Sequence, residues 1–124
     1  MARLALVVDD SMLIRHTVCR FLEGRGFTVE SATNGREALD MIKALRLRPN
    51  LILTDLLMPT MTGGEFIDHL KAEPLTASIP IVLLVTKRSA EPPVEAQHAV
   101  YVIYKDIDVQ EQLDHALIAA TGVY

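Results

Sequence analysis

The chain has 124 residues, half of them hydrophobic and 23% charged, with a net charge of −4 at neutral pH. This is the composition of one globular domain large enough to bury a core, and it excludes a disordered chain or a multidomain enzyme. A single cysteine, Cys19, excludes a disulfide scaffold, and the acidic balance disfavours nucleic acid or an anionic membrane as a partner.

Leu4 to Val8 is a short unbroken apolar run, the pattern of a strand buried on both faces. Two aspartates, Asp9 and Asp10, end it, so it is neither a signal peptide nor a membrane span. With one thiol and no export signal, the expected compartment is the cytoplasm. Ile14, Val18, Phe21 and Leu22 then recur at helical spacing, with Gly24 and Gly26 to end the helix. Asp10 is expected to cap this helix, and Cys19 to be a small half-buried side chain within it. Thr28 to Ala32 is a more polar strand suited to a sheet edge. Asn34 and Glu37 resemble a capping box before the helical face Ala38, Met41, Ile42, Leu45.

Leu51 to Thr54 is a buried strand ending at Asp55. Thr62 and Glu65 signal the start of a helix with Phe66, Ile67 and Leu70 inward, and Gly63 and Gly64 read as turn and cap residues. Ile81 to Val85 is a strongly apolar strand ending at Thr86. Glu91-Pro92-Pro93 interrupts the segment after Thr86, so a full helix is not expected there; Pro93 fits the first turn of a short one. Val100 to Tyr104 is the fifth strand, ending at Lys105. Asp108 and Glu111 cap a last helix with Leu113, Ala116, Leu117 and Ala120 inward and Gly122 beyond.

Strands alternating with helices imply an α/β fold, a doubly wound parallel sheet with helices on both faces. In the flavodoxin-like order 2-1-3-4-5, strands 1 and 3 are neighbours at the switch point, where ligands bind beyond the strand ends. Asp9, Asp10 and Asp55 then share one pocket. At about 4 Å and an effective dielectric near 20, each such pair costs roughly 4 kcal/mol. Either some of them hold protons or a cation joins them, and hard oxygen ligands suit Mg²⁺ with a place kept for a phosphate oxygen. Thr86 adds a hydroxyl and Lys105 an ammonium, which together suit phosphoryl transfer onto a carboxylate.

The series Val8-Asp9-Asp10-Ser11, Asp55-Leu56-Leu57-Met58-Pro59 with Gly63, Val85-Thr86 and Lys105 resembles the receiver domain of two-component response regulators, of the CheY-like type. The resemblance spans nearly the whole chain, residues 1–124. It implies that Asp55 is the phosphoacceptor, that Asp10 and Asp55 ligate Mg²⁺ with Asp9 acting through water, and that the carbonyl of Leu57 is a further ligand. It implies that Thr86 bonds a phosphoryl oxygen and that Lys105 pairs with the acceptor carboxylate. The implied donor is a sensor histidine kinase or a histidine phosphotransfer protein, and the implied state a monomer or a weak phosphorylation-dependent dimer. No fused DNA-binding output module is expected, so output falls to protein contacts or onward phosphotransfer.

Three departures stand out. Asp106 replaces the usual proline after Lys105, so that bond is expected trans and the loop differently shaped. Val102 occupies the position of the switch aromatic, with Tyr101 and Tyr104 nearby but expected to point elsewhere. The stretch from Thr86 to Lys105 is short, with His98 in place of a helix-ending glycine. The resemblance implies that the positions of Leu57 and Arg88 influence hydrolysis; with an apolar Leu57 to orient no water and Arg88 to shield the acyl phosphate, slow decay is expected.

Bland readings hold elsewhere. His16, His69, His98 and His115 lack metal-ligand spacing and read as surface residues. Met58 packs beside the site, Thr62 is a cap, and Ser11 has no base to make it a nucleophile. The alternative function is a pseudo-receiver, an interaction module with weak or no phosphorylation. A Mg²⁺-dependent phosphatase is disfavoured because Leu57 stands where a second aspartate is needed, and flavin binding because no phosphate-binding loop comes after the first strand.

Overall fold

The computed structural model describes residues 3–58, 60–86 and 93–122. Pro59, Arg88, Glu91 and Pro92, which the sequence singles out, lie outside the described residues.

Five strands, β1 (Arg3–Val8), β2 (Phe27–Ala32), β3 (Leu51–Asp55), β4 (Ile81–Val85) and β5 (Tyr101–Tyr104), form one parallel sheet in the order β2-β1-β3-β4-β5. The flavodoxin-like arrangement expected from the alternation is the one observed. Because side chains alternate across a strand, the sheet feeds two cores. Leu6, Val8, Ile52, Ile81 and Leu83 face one layer; Ala5, Val7, Leu51, Leu53, Val82 and Leu84 face the other. The first layer holds α2 (Gly35–Ala44) and α3 (Gly63–Ala72), the second α1 (Met12–Gly24) and α4 (Val109–Thr121).

The caps match the sequence signals with two shifts. Thr62 and Glu65 make a reciprocal capping box, with Thr62 Oγ1 accepting from Glu65 N–H and Glu65 Oε1 from Thr62 N–H. At α2, Asn34 accepts from Glu37 N–H, but Glu37 reaches one residue further back, to Thr33 N–H. At α1 the cap is Ser11, not Asp10: Ser11 has extended backbone and its Oγ accepts from Ile14 N–H at 3.3 Å. Asp10 stands one residue outside the helix, exposed, with its carboxylate available to the site. Gly122 ends α4 in the left-handed conformation at φ 82°.

Between β4 and β5 the described residues carry a 3-10 helix, Val94–His98, capped by Pro93 rather than containing it. Pro93 has an extended backbone, φ −63° and ψ 151°, which excludes it from the first turn. No described helix is long and apolar enough to cross a membrane.

Candidate functional site

Parallel pairing sets the site. Val8 lies opposite Thr54 in the β1–β3 register, so Asp9 and Asp55 leave neighbouring strands one step further on. Asp9, Asp10 and Asp55 each offer a carboxylate oxygen, and these oxygens all lie within 4.8 Å of one another. Asp9 is fully buried, Asp55 nearly so, and Asp10 exposed.

Backbone groups hold the two buried acids. Asp9 N–H donates to Ala32 O at 3.1 Å, and Asp9 Oδ1 accepts from Ser11 N–H at 2.8 Å. Asp55 Oδ1 accepts from Leu57 N–H at 3.3 Å. Lys105 comes directly after β5, its N–H bonded to Val85 O at 2.8 Å. From there its ammonium reaches Asp9 Oδ2 at 2.6 Å and Asp55 Oδ2 at 3.2 Å. The described residues contain no cis peptide bond, so Asp106 leaves a trans link, and Lys105 attains both acids through it.

One ammonium does not satisfy three carboxylates. Burial foremost, and then the charge of Asp9, push the Asp55 carboxyl above the ordinary aspartate range; Lys105 and the Leu57 N–H pull the other way. Asp9 Oδ2, although close to Lys105, makes no hydrogen bond of acceptable geometry among the described residues. A buried anionic oxygen without a hydrogen bond, within 4.8 Å of two further carboxylates, is a donor set that suits a hard divalent cation.

Thr86 is the first residue beyond β4 and is exposed; its hydroxyl makes no hydrogen bond to a described residue. The structure thus gathers Asp9, Asp10, Asp55 and Lys105, and leaves Thr86 beyond the neighbouring strand without joining it to them. The Leu57 side chain is 70% exposed, and the residue donates its backbone N–H to Asp55.

Val102 packs on the α2–α3 core and Tyr101 on the opposite one. Tyr104 ends β5 half-buried. Its backbone is clamped to α4: Gln112 Nε2 donates to Tyr104 O and Gln112 Oε1 accepts from Tyr104 N–H, both at 2.8 Å.

One contributor escapes the sequence reading, and a second does more than its cap signal shows. Arg15 Nη1 donates to Asp9 O at 2.8 Å, bringing a positive charge to the turn that carries the acids. A cation near a helix start opposes the helix dipole, which is the one clue the sequence offers. Gly63 is the second. A Cβ there would run into Asp55 O and lie 2.7 Å from Leu56 Cα, so α3 starts against the backbone at the end of β3. Met58 is buried in the α2–α3 core, and His16, His69, His98 and His115 are exposed, as expected. Cys19 is half-buried, and burial first, then Glu23, pushes its thiol up.

The profile of the family described as response regulator receiver domain matches residues 5–117. The phosphate regulon transcriptional regulatory protein PhoB of Escherichia coli is 40% identical over 91 residues, covering 73% of this chain and 39% of that protein. A protein-glutamate methylesterase/protein-glutamine glutaminase of Treponema pallidum is 42% identical over 81 residues, covering 64% of this chain and 19% of that protein. The chain therefore spans two-fifths or less of the length of these curated relatives. Among solved structures, the chemotaxis response regulator CheY4 of Vibrio cholerae superposes with a TM-score of 0.81 at 34% identity, covering 97% of this chain and 99% of that one.

Proposed function

The chain belongs to the response regulator receiver domain family, and on that footing we propose that it takes a phosphoryl group onto Asp55. The donor is a phosphohistidine on a sensor kinase or phosphotransfer protein. An oxygen of Asp55 forms a bond to phosphorus as the phosphorus–nitrogen bond breaks, and the imidazole leaves with its electron pair and takes up a proton. Asp10, Asp55 and the Leu57 carbonyl would ligate Mg²⁺, with Asp9 acting through water. Bound there, the ion neutralises charge on the acids and on the phosphoryl oxygens.

Lys105 spans Asp9 and Asp55 before transfer and tracks the charge to the phosphoryl group afterwards. The Leu57 N–H fixes the rotamer of the attacking carboxylate. Thr86, at the end of β4, offers its hydroxyl to a phosphoryl oxygen. The observation that carries the reading is three carboxylates within 4.8 Å, two of them bridged by one ammonium. The alternative of an unphosphorylated interaction module rests on Asp106, Val102 and the proline-broken segment, and it loses the first of these supports because Lys105 reaches both acids.

Output passes through protein contacts in the cytoplasm, as a monomer or a weak phosphorylation-dependent dimer. The exposed Leu57 side chain presents no polar group to orient water, so the acyl phosphate decays slowly. The test is acetyl phosphate with Mg²⁺, read by intact mass and amide NMR. The expected result is a gain of one phosphoryl group, absent in Asp55→Asn, that outlasts seconds. An unmodified mass at saturating donor overturns the reading.

A further inference from the structure

Parallel strands with return helices put the C-termini of α2 and α3 at the edge of the sheet opposite Asp55. A cavity of about 510 Å³ lies there, the size range of small-molecule sites. Its apolar floor is Leu39, Ile42 and Leu70, all buried core residues. Its rim is cationic: Lys43, Arg46 and Arg48 line it together with His69, against the single acid Glu73. Three of the chain's twelve Lys and Arg residues thus converge on one cavity in a protein of net charge −4.

The rim cations are uncommitted. Lys43 and Arg46 have no acidic or hydrogen-bonding partner among the described residues, and Arg48 donates only to the adjacent Leu47 O. One last-turn lysine would complement the carbonyls that end α2; the further arginines and His69 exceed that need. Arg46 is also held at φ 51°, a left-handed conformation that glycine adopts freely after a helix. The sequence keeps a guanidinium at a place where a residue without a side chain is easier to accommodate. No aromatic side chain other than the His69 imidazole lines the cavity, and Leu75 extends the aliphatic wall outward, 62% exposed.

We infer that this cavity binds a small amphiphilic anion: a carboxylate or phosphate head held by Lys43, Arg46 and Arg48, with an aliphatic body on Leu39, Ile42 and Leu70. The site stands apart from the phosphoryl chemistry, and its occupancy does not require Asp55.

The test is an amide NMR titration of the full chain with four probes: octanoate, octyl phosphate, octanol and inorganic phosphate. Saturable shifts confined to residues 39–48 and 69–76 are expected with octanoate or octyl phosphate, and the tighter of the two names the head group. Arg46→Gly removes the guanidinium while relieving the backbone, so the fold persists, and affinity falls about tenfold, the loss of one charge-assisted contact. Lys43→Gln, on an exposed helix turn, weakens binding in the same direction. Equal binding of octanol removes the anion from the proposal, and equal binding of inorganic phosphate removes the aliphatic body. Absence of saturable shifts, or unchanged affinity in both variants, overturns it altogether.

Discussion

The two halves of the carboxyl edge are built differently. On the β1–β3 side backbone contacts fix the buried acids and the helix beside them: Asp9 by Ala32 O and Ser11 N–H, Asp55 by Leu57 N–H, and the start of α3 by the contact of Gly63 with Asp55 O. On the β4–β5 side, Thr86 has no described hydrogen-bond partner, Val102 replaces the aromatic of the family pattern, and a 3-10 helix occupies part of the stretch between the strands. Its Glu95 lies against the first turn of α3, with Oε2 2.9 Å from where a Gly64 Cβ would stand. The buried acids sit where backbone contacts hold them, and Lys105 reaches across to them from the end of β5. The part that would report the chemical state is held by side chains that can yield.

The largest effect comes from breaking the rigid half at its centre. Asp55→Asn abolishes phosphoryl uptake in the intact-mass assay. It also removes a charge that burial and Asp9 disfavour, so urea unfolding in chelator at neutral pH shows a gain in stability. The pH dependence has a definite sign. The folded Asp55 carboxyl lies above its unfolded value of 3.8, so its ionisation opposes folding. For this group, stability is greatest when the carboxyl is protonated and falls as pH rises from 3.8 through the raised value. Millimolar Mg²⁺ offsets the loss at neutral pH and does little in acid; urea midpoints across pH with and without the ion check both.

Lys105→Met ranks next. Removing the ammonium leaves Asp9 and Asp55 facing one another under low exposure, and the cost at neutral pH is about 3 kcal/mol. Acidification or Mg²⁺ recovers part of it, which separates the effect from lost packing. Gly63→Ala comes third, at about 1–3 kcal/mol by urea midpoint. Its Cβ would meet backbone atoms, Asp55 O and Leu56 Cα, that cannot rotate away. Phosphoryl uptake slows with it, because the acceptor strand itself must shift.

The carboxyl edge as a whole is legible in the sequence. Apolar runs ending in Asp9, Asp55, Thr86 and Lys105, once placed on a 2-1-3-4-5 sheet, go to one edge, and strand pairing does the rest. Contacts across the chain stay hidden. Asp10, the cap that the sequence suggests, gives way to Ser11 once backbone angles are known. Gly63 carries a cap signal, whereas its necessity is the carbonyl of Asp55 behind it. Arg15 serves a backbone carbonyl, which has no residue signature. The cationic cavity needs two helix ends side by side, and neither Lys43 to Arg48 nor His69 announces the other.

Gly64→Ala is the smallest effect and the sharpest test of the contrast. Gly63 and Gly64 are adjacent and both begin α3, yet their neighbours differ in kind. A Cβ on Gly64 meets the far end of Glu95, a flexible side chain that can swing aside, rather than backbone. Alanine also gains helix propensity over glycine, up to about 1 kcal/mol in a helix interior and less in a first turn. The opposing loss is a carboxylate near a helix N-terminus, about 0.3–1 kcal/mol. The two nearly cancel, so urea unfolding should move by less than about 0.5 kcal/mol while the amide shifts of residues 93–99 move clearly. A destabilisation as large as that of Gly63→Ala would mean that the 3-10 helix is fixed as firmly as the acid pocket, and the division of the edge into a rigid and a yielding half would fail.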